Sequence, residues 1–135
     1  MAKVRRIDLV TTADARGLLA AAQHPGELPF LPARVFIVTQ SPTGTERGGH
    51  AHRACHQVLI ATAGIVVVEY DDVDGTGTET LSDATVGLHI PPLVWAKQTY
   101  VTDGASLVVL ASHAYDAEDY VDNRNAARQL RDAKA

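Results

Sequence analysis

Hydrophobic positions in this chain come in short blocks, some alternating with polar residues and some unbroken, and nearly every block is closed by Gly, Pro or Asp. That is the pattern of strands joined by turns, not of amphipathic helices. Residues 34–39 (Arg-Val-Phe-Ile-Val-Thr) and 65–70 (Ile-Val-Val-Val-Glu-Tyr) carry the β-branched and aromatic side chains that strands favour. Further strands are predicted at 4–10, 58–62, 79–81, 86–90, 93–96, 98–101 and 106–111. Residues 11–17 read as a turn, and the Asp- and Gly-rich 71–77 as a loose hairpin connection. Residues 18–23 suit a short helix or a strand equally, while Pro25, Pro29 and Pro32 hold 25–32 in a loop. From 117 to 134 the composition turns helix-forming. The pattern predicts one all-β domain over 1–135, a sandwich or barrel, with a short C-terminal helix.

Composition narrows the classes. A chain of 135 residues, 46% hydrophobic and 21% charged, has the make-up of an ordinary soluble globular domain able to bury a core. Its net charge of -4 argues against nucleic acid as a partner. No apolar run approaches the roughly 20 residues of a membrane span, and no apolar segment follows the charged N-terminus as a signal peptide needs. The single cysteine, Cys55, excludes an internal disulfide and suits a reducing compartment; it reads as a small buried residue. A cytoplasmic protein without nucleic-acid or membrane partners is expected.

The chemistry concentrates in residues 47–57, Arg-Gly-Gly-His-Ala-His-Arg-Ala-Cys-His-Gln. Side chains at i and i+2 of a strand share a face, so His50 and His52 project together. Two adjacent imidazoles can bind a metal or move a proton near neutral pH. A divalent ion needs three or four ligands, whereas His50 and His52 supply two and Gln57 only a neutral amide oxygen. His56 lies too far along, and His89 could join only from another strand. Without a metal, an imidazole can take a proton from a carbon next to a carbonyl. Arg47 and Arg53, with Arg34 on an earlier strand, suit phosphate oxygens or a developing oxyanion. The plainer alternatives are solvated edge arginines and hydrogen-bonded core histidines.

His50-Ala51-His52, followed by Gln57 and closed by Gly64, resembles the first motif of the cupins, which are jelly-roll or double-stranded β-helix barrels of the RmlC-like kind. Gln57 stands where a metal-binding cupin has its carboxylate, and no histidine follows Pro91-Pro92 as the second motif would require. More closely, residues 47–53 are similar to the signature of the sugar-nucleotide 3,4-ketoisomerases, the FdtA/WxcM-like group. Arg34-Val35-Phe36, Pro91-Pro92-Leu93-Val94-Trp95, Leu110-Ala111-Ser112 and Tyr115-Asp116-Ala117-Glu118-Asp119-Tyr120 resemble further segments of that family, in order along nearly the whole chain.

The resemblance implies an isomerase that moves the keto group of a dTDP-4-keto-6-deoxyhexose from C4 to C3 through an enediol, in deoxyamino-sugar biosynthesis, with no metal and no organic cofactor. It implies a homodimer that exchanges N-terminal strands, placing Arg5 to Val10 against the partner. Carried over, His50 and His52 are the acid/base pair, with His52 as the essential base and His50 as its helper. Arg47 and Arg34 contact the sugar or pyrophosphate, and Arg53 keeps a charge where many members have Lys. Trp95 and Tyr100 are expected as barrel core or pocket wall rather than catalysts, with a ring able to stack on thymine; Tyr115, Asp116 and Tyr120 are expected to be structural. Phe36 and Ile37 lack the hydroxyl that several members carry there, and Ala96 replaces a common histidine. The competing readings are a 3,5-epimerase, a non-catalytic sugar-nucleotide-binding cupin and a metal-dependent cupin.

Overall fold

The computed structural model describes residues 2–134. Its strands are β1 (Arg5–Asp8), β2 (Val10–Asp14), β3 (Gly17–Ala21), β4 (Arg34–Val38), β5 (Thr45–His52), β6 (Gln57–Ala63), β7 (Val66–Asp72), β8 (Gly75–Leu81), β9 (Val86–Ile90), β10 (Trp95–Tyr100), β11 (Ser106–Ala111) and β12 (Tyr120–Val121). One sheet has the order β1-β9-β6-β11-β4, a second β12-β5-β10-β7-β8, and β2-β3 form a separate hairpin. Among the described residues the one α-helix is α1 (Arg124–Ala133), after β12.

The alternation read from the sequence decides which side chains go inside. On β11, Leu107 and Val109 point inward with Leu59 and Ala61 of β6 and Leu88 and Ile90 of β9. From the opposite sheet Val66 and Val68 of β7 and Ala96 and Tyr100 of β10 meet them, and all are buried. Two sheets each apolar on one face can only be stable face to face, which gives the expected jelly-roll-like double layer.

Several boundaries differ from the sequence reading, each for a local reason. Residues 4–10 do not form one strand: β1 pairs with β9 of the same chain from Arg5↔His89 to Asp8↔Val86, and Val10 begins the hairpin. The segment 11–17 is mostly strand, its turn confined to Ala15-Arg16, where the Asp14 carboxylate accepts from the Arg16 backbone N–H at 2.8 Å. Residues 18–21 take the strand alternative. The connection at 71–77 shrinks to Val73-Asp74, because Asp71 and Asp72 are buried as partners of Arg128 and the Val4 backbone N–H. The tail is not helical from 117. Asp116 caps a single 3₁₀ turn, Ala117–Asp119, β12 then pairs with β5, and the side chain of Asn123 accepts from Ala126 N–H at 2.7 Å to start α1.

Helix α1 lies on the outer face of the second sheet, where Ala51, Val121 and Ala127 are buried against Trp95 and Leu130. Arg128 pairs with the buried Asp71 at 2.5 Å, and Arg131 donates to the carbonyls of Leu93 and Asp71. This clamps the end of the chain beside the strand that carries the histidines.

Candidate active site

The pocket between the sheets is built around an irregularity in β5. Opposite β10, Gln98 pairs with Arg47 and Lys97 with Gly48, but Ala96 pairs with His50, so Gly49 is an extra residue. Without it, strict alternation would turn Arg47 and the two histidines to opposite faces. The bulge brings all three into one cavity. Gly48 and Gly49 both have positive φ, 82° and 78°, which is why a glycine pair precedes the histidines. A Cβ on Gly48 would also sit 3.0 Å from the Ala96 carbonyl oxygen and 2.8 Å from Oε1 of Gln98.

The cavity, about 320 Å³, is lined by Arg34, Phe36 and Val38 of β4, Arg47, His50 and His52 of β5, Gln57 of β6, Ala96, Gln98 and Tyr100 of β10, and Tyr120. The expected site residues Arg34, Arg47, His50, His52 and Tyr100 therefore meet, with Tyr100 at the floor and only 1% exposed. Two do not join them. Trp95 faces out of the barrel because it neighbours the inward Ala96; it packs with α1, and the guanidinium of Arg124 lies 4.2 Å from its ring centre. Arg53 lies past the end of β5 with its side chain exposed, outside the cavity lining. Neither is placed to contact a ligand in this pocket.

The histidines differ in their surroundings. The rings of His50 and His52 meet edge to face at 5.1 Å, and the Tyr120 ring covers both at 4.7 and 4.5 Å. Tyr120 reaches that place because its strand pairs it directly with His52. Asp119 is the residue the sequence reading missed. Its carboxylate accepts from the backbone N–H groups of Ala54 and Cys55 and lies 3.1 Å from Nδ1 of His52. An ionised carboxylate only accepts, so Nδ1 carries the proton and Nε2 is left with its lone pair. Nε2 is buried and has no hydrogen-bond partner, an arrangement that ordinarily costs about 1–3 kcal/mol and persists where function needs it.

Electrostatics keep both rings neutral. His52 is pushed below the usual histidine range mainly by burial and partly by the charge of Arg34, against the opposing hydrogen bond and charge of Asp119. His50 is lowered by burial and by His52, opposed by Asp122 and the Gly48 carbonyl. Neutral imidazoles beside a half-apolar cavity are proton acceptors at neutral pH. The two arginines in the lining supply positive charge for an anion or oxyanion. Arg34 is braced by aromatic rings, 4.6 Å from the centre of Phe36 and 5.4 Å from that of Tyr115.

As ligands for a metal, His50, His52 and Gln57 all reach the cavity, but the first two are the only strong donors among them. His56 and His89 lie elsewhere. His56 Nδ1 is 3.0 Å from His89 Nε2 with the ring planes 11° apart and the ring centres separated by 5.2 Å, an end-to-end hydrogen bond beside Phe30. The expectation that His89 could complete a site with His50 and His52 is not met.

Known proteins resemble this chain along nearly its whole length. The FdtA family, described as WxcM-like, C-terminal, matches residues 2–131. The TDP-4-oxo-6-deoxy-alpha-D-glucose-3,4-oxoisomerase of Aneurinibacillus thermoaerophilus is 34% identical over 108 residues, 80% of this chain and 78% of that protein. The QdtA 3,4-ketoisomerase of Thermoanaerobacterium thermosaccharolyticum, solved as a double mutant with TDP, is 34% identical with a TM-score of 0.90, covering 98% of this chain and 97% of its own. The WlaRB TDP-quinovose 3,4-ketoisomerase of Campylobacter jejuni is 30% identical with a TM-score of 0.89, covering 96% and 99%.

Proposed function

This chain belongs to the FdtA, WxcM-like family, and on that premise we propose that it is a sugar-nucleotide 3,4-ketoisomerase acting in the cytoplasm on a dTDP-4-keto-6-deoxyhexose. The observation that carries the reading is His52, held by Asp119 with a free, buried Nε2 in a cavity that also holds His50 and two arginines.

The chemistry needs a proton taken from C3 and one delivered to C4. Removal at C3 gives an enediolate across C3 and C4; protonation at C4, with the 3-hydroxyl proton passing to the C4 oxygen, leaves the carbonyl at C3 and a hydroxyl at C4. Atoms and electrons balance within the sugar, so no external oxidant or reductant is called for. His52 is poised as the base, and His50, in edge contact with it, as the acid that delivers a solvent-exchanged proton to C4. Arg47 and Arg34 suit the enediolate oxygen and the pyrophosphate. A cavity of about 320 Å³ is at the small end of ligand pockets, which matches a hexose inside with the nucleotide along the mouth.

The molecule is further read as a homodimer. In its own chain the β2-β3 hairpin exposes Val10, Leu18 and Leu19, and Leu31, Val35 and Ile37 are exposed as well. An isolated two-stranded hairpin is marginal in water, so a second copy that covers it fits better than a free arm. The exchanged segment is then the hairpin, since β1 already pairs within the chain.

The test is ¹³C NMR of dTDP-4-keto-6-deoxyglucose with the purified protein. The carbonyl signal is expected to move from C4 to C3, and His52→Asn is expected to stop it. A 3,5-epimerase would instead leave the carbonyl at C4 and exchange C5 hydrogen, and a binding protein would give no turnover; either result overturns the assignment.

A further inference from the structure

Cys55 has no part in the isomerisation, yet it sits behind the catalytic pair. One imidazole nitrogen of His52, the Cys55 sulfur and an Asp119 carboxylate oxygen all lie within 4.8 Å of one another, the one trio of potential metal ligands that the described residues bring together. All three are well covered: His52 is 7% exposed, Cys55 5%, and the Asp119 side chain 14%. The Cys55 thiol donates only to the His56 carbonyl, at 3.3 Å, and its backbone N–H donates to the same carboxylate that holds His52. We propose that His52, Cys55 and Asp119 form an inhibitory site for a soft divalent cation of the zinc class, whose binding takes His52 out of catalysis.

The ligand set fits that class of ion. Imidazole, thiolate and carboxylate are each zinc ligands, and three of them leave one open position of a tetrahedral shell, with bonds of about 2.0–2.3 Å and ligand atoms therefore roughly 3.3–3.7 Å apart. His52 Nδ1 and Asp119 Oδ2 already stand 3.1 Å apart, and the Cys55 sulfur, within 4.8 Å of both, has at most about 1 Å to close to reach that shell. On binding, the thiol releases its proton to solvent, so thiolate and carboxylate together balance the ion's charge. Arg34, whose charge already bears on His52, opposes the cation from the pocket side.

The consequence follows from the tautomer. In the metal-free site Nδ1 carries the proton and Nε2 the lone pair. A cation on Nδ1 displaces the proton there and binds the lone pair it leaves, while Nε2, which has no other partner, takes up a proton on its own lone pair. The base becomes a donor while the sugar pocket stays open. This half of the proposal rests on the reading of His52 as the base.

The probe is Co²⁺ added to metal-free protein, followed by absorption, with Zn²⁺ inhibition of isomerase turnover measured in parallel. The expected result is a near-ultraviolet thiolate-to-cobalt band saturating at one ion per chain, and loss of kcat with Zn²⁺ at unchanged KM. Cys55→Ala should lose both effects while keeping its metal-free turnover, which also shows that it folds. No thiolate band, or the same band in Cys55→Ala, overturns the site. A band without inhibition overturns the inhibitory role and His52 as base, and metal-free turnover remains a separate measure of the isomerase assignment.

Discussion

At the scale of single residues, the proposed chemistry rests on Asp119 and His52. A carboxylate that already accepts two backbone N–H groups can only accept from Nδ1, which sets the tautomer of the base. Asp119→Asn offers an amide N–H in its place, which can donate to Nδ1 and strand the proton on Nε2. The expected loss is on the order of 10²-fold in kcat with little change in KM. The pH profile separates this from simple loosening. Asp119 raises the His52 pKa against burial, so without its charge the acidic limb should move to lower pH even as the rate falls. An unchanged limb would speak against a positioning role. Asp119 stands in the Tyr115–Tyr120 segment that sequence similarity marks out, but nothing in the local pattern says that this segment folds back 67 residues to reach His52. The same distance hides the place of Tyr120. By contrast, the shared face of His50 and His52 follows from strand periodicity alone.

At the scale of elements, the β5 bulge and the His56–His89 pair carry testable weight. Gly48→Ala puts a Cβ against the Ala96 carbonyl at positive φ, which costs about 1–2 kcal/mol from the backbone alone before any clash. Thermal melting should show a loss of about 2 kcal/mol or more, with turnover reduced beyond what the folded fraction explains. The second histidine pair gives the fold a pH dependence. Burial first, then His56 and Arg5, depress His89 to about 4, and burial and His113 lower His56. The unfolded chain therefore binds more protons than the native one between pH 6.5 and about 4. Stability is full above pH 6.5 and should fall as pH drops through that window; His89→Gln should flatten the slope of melting temperature against pH. β2, read as a turn, and β12, read as helix, were not legible; most strands were, because alternation and β-branching mark them. Their ends were not: Asp71 and Asp72 look like turn residues until Arg128 buries one and the Val4 backbone the other, and the tail looks helical until β12 is paired by β5.

At the scale of the whole molecule, the uncovered apolar surface is the feature a single chain leaves open. Leu18 and Leu19 are 59% and 62% exposed, and Ile37 is 60% exposed. If the hairpin is covered by a second copy, light scattering should give twice the mass of one chain, and Leu19→Glu should lower it to one. A wild-type monomer at working concentration would remove the dimer from the account. At Trp95 the segment matches the family, and alternation at Ala96 turns its ring outward to α1 and Arg124.

The most direct measurement follows deuterium. With dTDP-4-keto-6-deoxyglucose in deuterated water, the account predicts a 3-keto product carrying deuterium at C4, and loss of that product in both His50→Asn and His52→Asn. Deuterium at C5 with the carbonyl still at C4, or a 3-keto product formed undiminished by His52→Asn, would contradict it.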